Sequence, residues 1–204
     1  AERRRQLTVV VAVMAVLAVF VGVWLMSRSD ETSNSTVSDS EYALVVGPDD
    51  AATKVVIYED FLCPACAYFE SITSEKLQAA ADAGKVQIEY RPLFFLQQFG
   101  DYSARAANAF RAVWVDAGPE AAKEFHDAIF ADQPAESGPF PDDDWLVQHA
   151  IDAGADEAKV RPAIEDMEYQ EWVDQATKEA SIVRATPTVY VDGEVFTRYL
   201  KRSG

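Results

Sequence analysis

The stretch that most constrains the fold runs from Lys54 to Pro92. It opens with Lys54-Val-Val-Ile-Tyr-Glu59, rich in β-branched residues and apolar at four consecutive positions, the pattern of a central strand buried on both faces. A helical stripe follows, with apolar residues at Cys66, Phe69, Ile72, Leu77 and Ala80 expected to face inward, and Gly84 is expected to end that helix. Val86, Ile88 and Tyr90 then alternate with Gln87 and Glu89, and Arg91-Pro92 is expected to close this second strand. Strand, helix and strand at this spacing form a βαβ unit, which calls for parallel pairing and a right-handed crossover.

At the first strand–helix junction lie Cys63-Pro64-Ala65-Cys66, which contain the only two cysteines of the 204 residues. Pro64 suits the first turn of a helix, where its missing N–H costs nothing. Cys63 then stands at the helix N-terminus, where free N–H groups and the macrodipole favour a thiolate, the reactive form. Cys66, one turn on and on the inner side, would be shielded and able to attack a mixed disulfide formed at Cys63. A structural disulfide closing so small a loop would contribute only about 2 kcal/mol. Zinc would need four ligands at finger-like or ribbon-like spacing, yet His126 lies 60 residues beyond Cys66 and His149 another 23 on. Two thiolates are also too few for an iron–sulfur cluster. A redox-active dithiol with no metal and no cofactor beyond the Cys63–Cys66 disulfide is the reading these residues favour.

Ahead of this lies Leu7 to Met26, twenty residues in which Thr8 is the only clearly polar one. As a helix it spans about 30 Å, the thickness of a bilayer's hydrocarbon core. It is longer than a signal-peptide apolar region and lacks a small-x-small cleavage site, so an uncleaved transmembrane signal anchor over 7–26 is expected. Arg3-Arg4-Arg5 place residues 1–6 in the cytoplasm and the remainder outside, where disulfides persist. Residues 27–41 lack apolar periodicity and read as a flexible linker with a reach of roughly 20 Å. Net charge over the whole chain is −16; setting aside Glu2 and the three arginines leaves 15 basic against 33 acidic residues after Met26, a balance of −18. Such an acidic domain excludes nucleic-acid binding and would be repelled by anionic lipid.

The folded domain is expected over 42–204, beginning with a short strand at Tyr42 to Val46 and a turn at Gly47-Pro48-Asp49-Asp50. From Leu93 to about Val183 no strand pattern appears. Helical periodicity starts near Asp101, Pro119, Asp142, Asp156 and Glu171, which makes 93–183 a helical insertion. The run Leu93-Phe94-Phe95-Leu96, with Phe99 and Tyr102, is expected mainly to pack that insertion on the sheet. His126 and His149 read as partly buried helix residues without a catalytic pattern. Asp142-Asp143-Asp144 and Asp156-Glu157 read as helix caps, since no calcium loop is present. Two β-rich runs after Thr186-Pro187-Thr188-Val189 flank Asp192-Gly193, a type I′ hairpin signal. Taken alone, the bond before Pro187 is expected to be trans.

Phe61-Leu62-Cys63-Pro64-Ala65-Cys66 after a buried strand, a long helical insertion, and Thr186-Pro187-Thr188-Val189 before a glycine hairpin together resemble the DsbA-like thiol:disulfide oxidoreductases. The likeness covers about residues 42–200 and is greatest to membrane-anchored extracytoplasmic forms of Gram-positive and actinobacterial type. It implies an α/β thioredoxin fold carrying the helical insertion. It also implies that Cys63 is the exposed nucleophile, Cys66 the resolving thiol, and Pro187 cis and facing the disulfide. A cis Pro187 would leave the Thr186 backbone able to bind an extended peptide by β-augmentation. The substrates implied are reduced exported proteins, and the implied partner is a membrane reoxidase of the DsbB or vitamin-K-epoxide-reductase (VKOR) type.

Ala65 stands where the best-known members carry His, and Ile57 where many carry a buried acid. Glu59 and Asp60 are the nearest carboxylates, with proton relay weighed against plain solvation at a strand end. Only Thr197 to Gly204 follow the hairpin, where the family has a closing helix, and the chain opens on Ala1, so both ends are expected to be incomplete. The expected function is a monomeric, membrane-anchored disulfide oxidase. A reductase, an isomerase and a non-catalytic thioredoxin-like binding module are the alternatives. An isomerase of this kind would carry a dimerisation domain for which the linker has no room.

Overall fold

The computed structural model describes residues 41–196. The expected anchor at 7–26, residues 1–6, nearly all of the linker and residues 197–204 lie outside the described residues. Among the described residues no helix is long and apolar enough to cross a membrane. The elements in chain order are β1 (Leu44–Val46), β2 (Thr53–Asp60), α1 (Pro64–Asp82), β3 (Val86–Leu93), α2 (Tyr102–Ala131), α3 (Asp143–Asp152), α4 (Glu157–Glu165), α5 (Gln170–Glu179), β4 (Thr188–Val191) and β5 (Glu194–Val195).

The five strands lie in the order β1-β3-β2-β4-β5. β2 pairs parallel with β3, in the register Val55 to Ile88 and Ile57 to Tyr90, and antiparallel with β4, Ile57 facing Val189. Its central place explains its sequence. With neighbours on both edges and cover on both faces, Val55 to Asp60 are all buried.

β3 departs from expectation twice. It runs on through Pro92 to Leu93, because pairing with β1 ends at Tyr90 and only the β2 edge remains beyond it, where a proline is tolerated. Its polar residues Gln87, Glu89 and Arg91 are buried instead of facing water. They are matched there: Arg91 Nη2 lies 2.7 Å and Lys54 Nζ 3.6 Å from the Glu89 carboxylate, and Gln87 Nε2 donates to Asp49 Oδ1 at 3.0 Å. α1 also shows its face differently. Cys66, Phe69, Glu70 and Ala81 are its buried residues, while Ile72 is 44% exposed.

Between β3 and β4 every regular element is a helix, α2 to α5, as expected of the insertion. Gly118, at φ 90°, breaks α2 just before Pro119. Asp142 and Asp156 cap α3 and α4, their carboxylates accepting from Trp145 N at 3.1 Å and Ala158 N at 3.0 Å. Phe61, Phe110, Phe125 and Phe130 gather between sheet and helices, the Phe61 and Phe130 ring centroids 5.0 Å apart. The β4–β5 turn has positive φ at both Asp192 and Gly193, as a type I′ hairpin requires. It is tied to β2 by paired 2.8 Å hydrogen bonds between Lys54 and Asp192.

Gly47 sits at φ 96° beside the start of β3, where an added Cβ would strike the carbonyl oxygen of Val86. Gly47→Ala should therefore destabilise the chain by about 2 kcal/mol or more, read from the urea midpoint at unchanged slope.

Candidate functional site

The site is built where β2 runs out. Cys63 caps α1 with extended backbone (φ −75°, ψ 115°), Pro64 fills the first turn, and the Cys63 carbonyl accepts from Cys66 N at 3.0 Å and Ala67 N at 3.1 Å. Both thiols are free, and Cys63, at 7% exposure, is buried instead of exposed as the family likeness implies, because the Thr186 carbonyl lies over its sulfur; Cys66 is deeper still at 1%.

The two sulfurs differ strongly. The Cys63 thiol is lowered to about 6, first by a hydrogen bond from the Cys66 thiol, against burial, and then by Thr186 and the backbone N–H groups of Cys66 and Ala65. Ala65 thus contributes through its backbone, where a histidine would have added its side chain. When protonated, Cys63 Sγ donates to the Thr186 carbonyl at 3.3 Å. A thiolate cannot, so in that state the Thr186 side chain is the relevant donor. Cys66 is pushed well above the usual thiol range, first by burial, then by its neighbour Cys63, with the charge of Glu59 adding to the effect. One sulfur is thus largely thiolate near neutral pH, and the other holds its proton.

Thr186 comes to Cys63 from 123 residues away. The Thr186–Pro187 peptide is cis, as the family likeness implies and contrary to the expectation for an isolated X–Pro bond. Glu59 and Asp60 are both fully buried, which removes the solvated strand-end reading. Asp60 Oδ1 accepts from Leu62 N at 2.8 Å and Ser103 Oγ at 2.7 Å, and Oδ2 from Leu96 N at 3.0 Å. Burial raises its pKa, and these hydrogen bonds oppose the rise. Glu59 Oε1 lies 2.7 Å from His126 Nε2, while its Oε2 has no hydrogen-bond partner.

Four residues here have no role in the sequence reading. Ser103 holds Asp60, and Gln133 Nε2 donates to the carbonyls of Phe61 at 2.9 Å and Cys63 at 3.1 Å. His126 is fully buried instead of partly so; burial opposes its charge, but Glu59 and Asp127 outweigh it and raise the pKa to about 10. Glu70 is pushed up to about 7 by burial and then by the charge of Glu59. Only Glu70 left a signal in the sequence: it lies four residues past Cys66, on the same inner face. The loop after β3 also reaches the site, since Leu96 N donates to Asp60; Leu93, which ends β3, is buried and Phe99 is 47% exposed.

A family model described as thioredoxin matches residues 39–202. Disulfide bond formation protein D of Bacillus subtilis (strain 168) is 28% identical over 164 residues, covering 76% of this chain and 70% of that protein. The reduced disulfide bond oxidoreductase DsbG of Mycobacterium tuberculosis is 36% identical, with a TM-score of 0.69 over 78% of this chain and 82% of the other. Oxidised DsbA of Mycobacterium tuberculosis is also 36% identical, with a TM-score of 0.67 over 76% and 84%.

Thiolate absorbance of the reduced chain should titrate with a midpoint about 6 and vanish in Cys63→Ser. Because the folded pKa lies below the unfolded one, this thiolate adds stability that is complete above the ordinary thiol pKa and is lost as pH falls through about 6. The stability gap between the reduced chain and Cys63→Ser should widen from pH 5 to pH 8 in denaturant titrations.

Proposed function

Because this chain belongs to the DsbA-like thiol:disulfide oxidoreductases of the thioredoxin superfamily, we propose that Cys63 and Cys66 cycle between disulfide and dithiol to introduce disulfides into exported proteins. Membership of an enzyme family sets aside the non-catalytic binding module. A substrate thiolate attacks Sγ of the oxidised Cys63, forming a mixed disulfide while Cys66 leaves and takes up a proton. A second substrate thiolate then attacks the substrate sulfur of that bond, and Cys63 leaves as a thiolate. The substrate is oxidised by two electrons and the enzyme pair is reduced.

The observation that carries the oxidising direction is the opposed tuning of the two sulfurs. A thiol near pKa 6 is a good leaving group in the step that completes the substrate disulfide. The thiol of Cys66, held protonated, competes poorly for the mixed disulfide, which would otherwise return the substrate reduced. The Thr186 backbone beside Cys63 is the proposed seat for an extended substrate segment, and the loop ending at exposed Phe99 the proposed apolar wall. Residues 7–26 are the proposed anchor, holding a monomeric domain outside the membrane close to a reoxidase of the DsbB or VKOR type.

Cys63→Ala should abolish stoichiometric oxidation of a reduced substrate by the oxidised chain. The reduction potential separates oxidase from reductase. Against a thioredoxin thiol of pKa about 7 and a potential of about −270 mV, a Cys63 near 6 shifts the couple roughly 20 mV in the oxidising direction at pH 7. Equilibration with glutathione should give a value less negative than that of thioredoxin; one at or below about −270 mV overturns the oxidase reading.

A further inference from the structure

We propose that Glu59, Glu70 and His126 form a binding site for one divalent transition-metal ion of the zinc class, one helical turn from Cys66 and separate from the dithiol. The three side chains come from β2, α1 and α2, and one donor atom from each lies within 4.8 Å of the other two. All three are buried, with Glu59 and His126 at 0% exposure and Glu70 at 5%. Glu59 Oε2 and both carboxylate oxygens of Glu70 have no hydrogen-bond partner, three orphaned acceptors in one place. Buried polar atoms are nearly always partnered, and buried carboxylates are paired or bind metals, so these three oxygens call for a partner that His126, whose Nε2 bonds only Glu59 Oε1, does not supply.

The surrounding groups fit a cation. His126 Nδ1 lies 2.9 Å from Asp127 Oδ1, which in turn is 2.6 Å from Lys123 Nζ. A carboxylate on Nδ1 fixes the tautomer that offers Nε2 as a ligand, the usual arrangement behind a metal-binding histidine. With the Nε2 proton of His126 displaced by the ion and released to solvent, two carboxylates and a neutral imidazole would balance a dication to zero net charge, which a low-dielectric interior favours. Two oxygens and one nitrogen suit zinc, cobalt or manganese; calcium would need six to eight oxygens, and no thiolate is present to select a softer ion. Three protein ligands also leave a coordination position open. A groove of about 630 Å³ bordered by Glu70, Ser74 and Asp127 lies on the surface beside the cluster.

None of this rests on the direction of the thiol chemistry, and the test keeps the two apart. The full chain is stripped with chelator, held in the disulfide form so that Cys63 and Cys66 cannot ligate, exposed to zinc and passed through gel filtration. One equivalent of zinc per chain should remain by elemental analysis. Cobalt in its place should give visible d–d bands without a thiolate charge-transfer band. Glu70→Gln, nearly isosteric, should weaken retention at least tenfold while far-ultraviolet circular dichroism stays unchanged, and Glu59→Gln supplies an independent removal of a ligand. Wild-type chain that retains neither zinc nor cobalt, or a folded Glu70→Gln chain with undiminished affinity, overturns the site.

Discussion

The buried carboxylate of Asp60 holds together three segments that the sequence keeps far apart. Its oxygens take hydrogen bonds from Leu62 at the mouth of α1, Leu96 in the loop after β3, and Ser103 in the first turn of α2. Burying a carboxyl group is tolerable only with its oxygens hydrogen-bonded, and these bonds supply both of them. The consequence is a fixed exit from β2. Gln133 clamps the same exit from the other side through the carbonyls of Phe61 and Cys63. Cys63 is thereby set at the N-terminus of α1 by interactions that do not involve its sulfur.

From that fixed point the unequal thiols follow. Helix geometry turns Cys66 inward over the aromatic core, where burial disfavours its anion. Cys63, one turn earlier, keeps access to the N–H groups of the first turn and to Thr186. The same geometry that makes one sulfur acidic gives the other its proton, and the hydrogen bond between them reinforces both. Ala65 is compatible with this because the stabilisation comes from backbone, the partner thiol and Thr186, just ahead of β4.

Much of this was legible in the chain where a local pattern is enforced by local physics. The β-branched run at Val55 to Ile57 can only be a covered central strand, Asp192-Gly193 needs the positive φ that Asp and Gly accept, and Asp142 and Asp156 announce their helices by capping them. What escaped depends on distant partners. Glu89 and Arg91 look like a solvated strand face until burial brings them together and Lys54 to their side. On α1, hydrophobicity favours Ile72 for the core, but the i, i+4 relation to Cys66 turns Glu70 inward instead. His126 gives no hint of its place because Glu59 lies 67 residues earlier.

The proposed assignment of exchange to Cys63, with Cys66 shielded, rests on helix position and on the deeper burial of Cys66. It is tested most directly by letting the oxidised full chain react with a peptide carrying a single cysteine, quenching with acid, and mapping the mixed disulfide by mass spectrometry. Attachment at Cys63 alone is the outcome expected; a substantial share at Cys66 would contradict it.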